Sequence, residues 1–196
     1  MSLLLAMALA SAQAETPPHE NLVEDMHVVG QCLAQNQEER VRSVLALDYR
    51  SNEYRDQLWK LMRDRNVCNA LIRFDIHSAG LLVAGSLAEG MLRQDAVLGR
   101  VVEATQHRTD LPEIEARDEG ELIAMCVVRA SPAGVAALLD TRPATQDELA
   151  AFKPLGPALS GCVRAGSTSE FSRESLRALI ALGTWRLATY NLQAKS

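Results

Sequence analysis

Apolar positions recur along this chain at helical spacing. Toward the end, Leu176, Leu179, Ile180, Gly183 and Leu187 fall three or four residues apart or side by side. That is the spacing of one face of a 3.6-residue helix. Leu81, Leu82, Gly85, Ala88 and Leu92 do the same in the first half. Shorter clusters include Val28, Val29 and Leu33, then Val41, Val44 and Leu45, then Leu58 and Leu61. Strand-like alternation is not the dominant pattern, so the chain reads as all-α.

The pattern occurs twice. A shift of 94 residues carries Cys32 onto Cys126 and Cys68 onto Cys162, because both pairs are 36 residues apart. The same shift carries Val29 onto Ile123, Leu33 onto Val127, Val41 onto Val135, Leu45 onto Leu139 and Leu61 onto Leu155. Beyond the second cysteine the shift becomes 97, after a short insertion near Gly166-Ser167-Thr168, and Phe74 meets Phe171 while Val83 meets Ile180. Residue class is kept more than identity, as expected of diverged copies of one packed unit.

Each copy helps to place helix ends in the other. Ser131-Pro132 predicts a helix start, with serine as cap and proline at the first helical position. Its counterpart is a break near Asn36, followed by Glu38 and Glu39, acids suited to the positive end of a new helix. Thr145 and Glu148 form a capping box, and Ser51 is the matching cap. The third helix is expected over 52–64 in the first copy and is cut short by Pro154, Gly156 and Pro157 in the second. The last helix of each copy opens at Asp75 or Ser172. In the first copy it carries Gly80, Ala84, Gly85, Ser86, Ala88 and Gly90. So many small residues predict close contact between helices rather than intrinsic helix stability.

The expected organisation is a signal peptide over 1–14, a first four-helix unit over 15–93, a connector over 94–118 with a turn at Asp110-Leu111-Pro112, and a second four-helix unit over 119–196. The first segment, MSLLLAMALASAQA, has no charged side chain and ends on Ala-Gln-Ala, a small-x-small cleavage pattern. It is too short to span a bilayer, and no later run is long enough, so the mature chain is expected to be periplasmic or secreted without a transmembrane segment.

Composition narrows the function classes. Apolar residues make up 47% of the 196-residue chain, enough for a packed core. The net charge of −5, with basic residues dispersed among acids, disfavours nucleic acid as a partner. No nucleophile elbow, phosphate loop, dinucleotide fingerprint or zinc-protease motif occurs, so no catalytic residue and no cofactor are assigned.

The cysteines are the remaining candidates for chemistry. A zinc site calls for convergent ligands, and His19, His27, His77 and His107 have no ligand-like spacing with them. No metal is expected. A nucleophilic thiol requires a base beside it, and the repeat would duplicate the whole site. An exported chain with an even count favours disulfides. The equal spacing selects Cys32–Cys68 and Cys126–Cys162, each inherited within its own unit. Each closure stabilises by about 3–4 kcal/mol in the chain-entropy model. In a reducing compartment the same four would be buried thiols.

Arg55, Trp59, Met62 and Arg63 form a separate stripe on the third helix, and Trp59 matches Lys153 in the second copy. Arginine, tryptophan and methionine are the composition of an interaction hot spot. The competing reading packs Trp59 against the other unit or the connector. A charged pair such as Asp56 and Lys60 requires no more than a solvated helix face.

A signal peptide followed by two cysteine-to-cysteine helical units, each closing on a Phe and a Leu/Ala-rich helix, resembles a group of exported bacterial proteins of no assigned activity. The resemblance implies no site residues. The leading expectation is an exported scaffold of two tandem, duplicated four-helix units, each with one internal disulfide, that binds a protein or envelope component without catalysis. The alternative is a small envelope enzyme, or a binder of a small hydrophobic ligand in the groove between the units.

Overall fold

The computed structural model describes residues 18–63, 68, 71, 80–164, 166–167 and 169–193. The expected signal peptide over 1–14 and the expected helix start at Asp75, with His77 nearby, lie outside the described residues. The described residues are helical and irregular with no strand, and two disulfides tie them.

The first half contains α1 (Pro18–Asn36), α2 (Glu38–Ala46), α3 (Asn52–Arg63) and α4 (Gly80–Gln94). The connector adds a 3₁₀ turn, Leu98–Arg100, and the short α5 (Val101–Ala104), more structure than the turn expected there. The second half contains α6 (Glu119–Ala130), α7 (Pro132–Asp140), α8 (Gln146–Phe152), α9 (Gly156–Cys162) and α10 (Arg173–Gln193).

Helix ends coincide under the 94-residue shift. α1 ends at Asn36 and α6 at Ala130, while α2 and α7 are both nine residues long. The breaks share one backbone shape: Gln37 has φ −138° and ψ 36°, and Ser131 has φ −143° and ψ 59°. Leu47 and Thr141, which end α2 and α7, agree within a few degrees at φ −76°, ψ 160° and φ −75°, ψ 158°. Sequence placed these breaks correctly but not every cap. Ser131 makes no side-chain cap bond, so proline and the backbone start α7 without it. Thr145 does cap α8, accepting from the Glu148 N–H at 3.2 Å. Glu148 reaches back to the N–H of Ala144 at 3.1 Å, one residue earlier than a standard capping box.

The prolines do not simply end the third helix of the second half. They convert α8 into a 3₁₀ turn, Lys153–Leu155, which leads into α9. Pro157 sits in the first turn of α9, where its missing N–H leaves no bond unmade.

α4 lies at the centre, packed on α1 and on α10, and α10 in turn packs on α6. Its pattern predicts one apolar face, yet every residue from Val83 to Leu92 is buried. The small residues explain this. A Cβ on Gly30 of α1 would sit 2.5 Å from the Ser86 backbone, and one on Gly85 would sit 2.4 Å from the Ala178 Cβ of α10. α4 therefore meets a helix backbone on two sides, and both approaches require glycine. The core runs without a gap from Val29, Leu33 and Leu45 through Leu87 and Met91 to Leu138, Ile180 and Leu187.

Met62 belongs to this core, with 2% exposure. That corrects the four-residue stripe on α3: Met62 packs inward beside Leu58 and Leu61, while Arg55 and Arg63 point to solvent. The steps Leu58, Leu61, Met62 continue one apolar face, and Met62 extends it by a residue.

Candidate functional site

All four cysteines are committed to disulfides, Cys32–Cys68 and Cys126–Cys162, the pairing that equal spacing selects. Each joins the first helix of its half to the segment before the last helix. No thiol is left for nucleophilic chemistry. Among the described residues no cluster of three or more His, Cys, Asp or Glu is placed to hold a metal ion.

The most concentrated polar chemistry is buried between the halves. Arg177 of α10 donates through Nε and Nη2 to the two carboxylate oxygens of Glu89 on α4, at 2.7 and 2.8 Å. Its Nη1 donates to Glu148 at 3.2 Å, to the Leu138 carbonyl at 3.1 Å and to Thr141 Oγ1 at 3.0 Å. His27 of α1 places Nδ1 3.3 Å from Glu89, and Arg173 places Nε 3.1 Å from Glu148. Burial alone would raise the Glu89 carboxyl; the bonds from His27 and Arg177 outweigh it and hold the group below its ordinary value. The recess beside this network, next to Ser86 and Glu174, has about 30 Å³ of free space. That is space for water, not for a substrate. Arg177 and Glu89 satisfy each other, while Arg173 Nε is paired with Glu148 by charge but makes no hydrogen bond, and the cluster is a fastening between helices.

A larger concavity lies elsewhere between the halves. α2 contributes Arg42 and Leu45, the connector Ile114 and Arg117, and α10 Trp185 and Arg186. Its volume is about 320 Å³, at the lower end of small-molecule sites. Leu45, Ile114 and Trp185 make its apolar part. Arg42 holds its guanidinium 5.2 Å from the Trp185 ring, a cation–π contact. Arg42 also bonds Glu38 at 2.9 Å and Asp95. Arg186 donates to the Glu115 carbonyl at 3.2 Å and pairs with Glu121 at 2.5 Å. Glu121 lies beneath, 0% exposed, and accepts from the Arg117 backbone N–H at 2.6 Å. Among the described residues no carboxylate lines the groove. Burial first, then the neighbouring charge of Arg186, lowers the Arg117 pKa from its ordinary value.

The turn before α6 fixes Arg117. Asp118 caps the helix, accepting from the Glu121 N–H at 2.8 Å, and Tyr49 donates to Asp118 at 2.6 Å. Burial, then Asp118, pushes the Tyr49 hydroxyl well above its ordinary value, so it stays a donor. Sequence reasoning missed this cap, although Asp118 and Glu121 have capping-box spacing. It also missed the groove, since no periodicity connects positions 42, 117 and 186. A tryptophan and an arginine adjacent in an apolar helix were the available signal.

The stripe on α3 does not assemble as a four-residue face. Trp59 is half-buried, with the Arg63 guanidinium 5.0 Å from its ring, and Arg55 bonds Asn52. His107 is exposed; the His19 side chain lies outside the described residues. The chain matches no known protein family, no curated protein and no solved structure.

Proposed function

We propose that this chain is an exported, non-catalytic binding protein that holds a small, mainly apolar ligand in the groove between α2, residues 114–117 and α10. The observation that carries the reading is the groove itself, about 320 Å³, with an apolar floor of Leu45, Ile114 and Trp185 inside a rim of guanidinium groups. Its ionisable lining consists of arginines and Tyr190, whose hydroxyl is engaged with the Pro112 carbonyl at 2.8 Å. Arginine keeps its proton near neutral pH, so it suits charge recognition better than proton transfer. This takes up the alternative expectation, a binder of a small hydrophobic ligand in the groove between the units, in place of the leading one, a scaffold that binds a protein or envelope component.

Two further parts of the proposal have separate support. Tandem duplication is supported by helix ends and break geometry that coincide under one shift. Export is supported by the apolar, cleavable-looking first fourteen residues and by two disulfides. No single helix among the described residues is long and apolar enough to cross a membrane.

The chain has two tryptophans, so Trp59→Phe leaves Trp185 as the sole indole emitter. Titrating this variant with decan-1-ol below its solubility limit is expected to produce a saturable change in Trp185 emission. A flat titration would contradict the groove reading.

A further inference from the structure

We infer that the groove's ligand carries one carboxylate, which docks on Arg117 beside Arg186. The inference rests on the groove reading above and specifies its ligand.

The rim's cations are unequally matched. Arg42 has two carboxylate partners, Glu38 and Asp95. Asp48 and Asp118 lie against Arg50, at 2.7 and 3.5 Å. Arg117 and Arg186 share the single carboxylate of Glu121, and the sharing is uneven. Glu121 is 2.5 Å from Arg186 but 3.9 Å from the Arg117 guanidinium. Arg117 Nη1 is buried and has no hydrogen-bond partner, while its Nη2 donates only to the Ala46 carbonyl, at 3.2 Å. The Arg117 guanidinium thus makes no hydrogen bond to a carboxylate: the nearest oxygen, Glu121 Oε1, lies 3.9 Å from its Nη1 and is itself without a hydrogen-bond partner.

A desolvated guanidinium favours an anion, and its planar fork matches the two oxygens of a carboxylate. The guanidinium with no hydrogen-bonded carboxylate is where one carboxylate docks. The apolar floor calls for a hydrocarbon body on the same molecule. An amphipathic monocarboxylate meets both requirements; an alcohol meets one, and a quaternary ammonium opposes the charge.

Calorimetric titration of the full chain, disulfides intact, with decanoate, decan-1-ol and decyltrimethylammonium tests this without any variant. Decanoate is expected to bind at least tenfold tighter than the alcohol, with the cation weakest. Arg117→Gln is expected to reduce the carboxylate preference, the ratio of decanoate to alcohol affinity, below threefold. Glu121 keeps Arg186 and the backbone N–H of residue 117 in that variant, so no buried acid is stranded. Equal binding of decanoate and the alcohol would overturn the carboxylate inference and leave the groove reading standing. A preference that survives Arg117→Gln would also overturn it. Binding of none of the three would remove both.

Discussion

Arg177 and Glu89 form a two-pronged ion pair across the centre of the molecule, with both residues 3% exposed. One sits on α10 and the other on α4, so the pair joins the two halves where their last helices meet. Arg177 continues to Glu148, and Glu89 continues to His27. The connection therefore reaches α1, α4, α8 and α10.

The losses from removing the two partners should not add. Glu89→Gln is expected to destabilise the fold by about 3 kcal/mol, since a buried guanidinium loses its principal charge partner. The Glu89→Met, Arg177→Met double variant should lose clearly less than the sum of the two single changes. Urea denaturation of the four proteins measures the coupling; additive losses would deny it.

The same pair sets an acid limit on stability. The folded-state pKa of Glu89 lies below its ordinary value of 4.5. A group of this kind contributes stability that is fully present above the unfolded-state pKa and is lost as pH falls through the folded value. Stability should therefore decline as pH drops below about 4.5, the ordinary carboxylate value. Glu89→Gln should flatten that decline, which denaturation midpoints between pH 7 and 3 will read. Parallel profiles for the two proteins would assign the acid sensitivity elsewhere.

Two glycines on the central helices should respond unequally to one added methyl. Gly85→Ala drives a Cβ to 2.5 Å from the Ala178 Cα, a backbone that cannot move alone. A loss of roughly 2–3 kcal/mol is expected from such overpacking. Gly183→Ala meets its nearest atoms at 3.3 and 3.4 Å, where a small shift suffices. The gain of about 1 kcal/mol in helix propensity should then offset the contact, leaving stability nearly unchanged. Thermal melts of the two variants separate these outcomes.

The glycines also explain what the sequence could and could not reveal. Where α1 crosses α4, Gly30 faces Ser86; where α6 crosses α10, Ala124 faces Gly183. The shifts of 94 and 97 superpose these positions, with the glycine on α1 at one crossing and on α10 at the other. Each crossing has one glycine facing a small residue, so the same close approach is reached with different residues. A polar pair behaves likewise. His27 with Glu89 in the first half overlies Glu121 with Arg186 in the second, so the acid has also changed helix.

Helix breaks at Asn36 and Ser131, the capping role of Thr145 and the cysteine pairing were legible because they depend on local chemistry or on equal spacing. The fully buried α4 was not, because its second packing partner, α10, comes from the other half of the chain. Met62 was misread for a similar reason: its apolar face is wider than the repeat alone suggests. The groove was the least legible element. Its walls come from α2, the connector and α10, and tertiary packing brings them together.

The most direct test of the central claim is an amide NMR titration of the full chain with decanoate. Shift changes should concentrate at residues 42–46, 114–117 and 185–190 and saturate together. Changes centred on Trp59 and Arg63, or none at all, would contradict a ligand site between the halves.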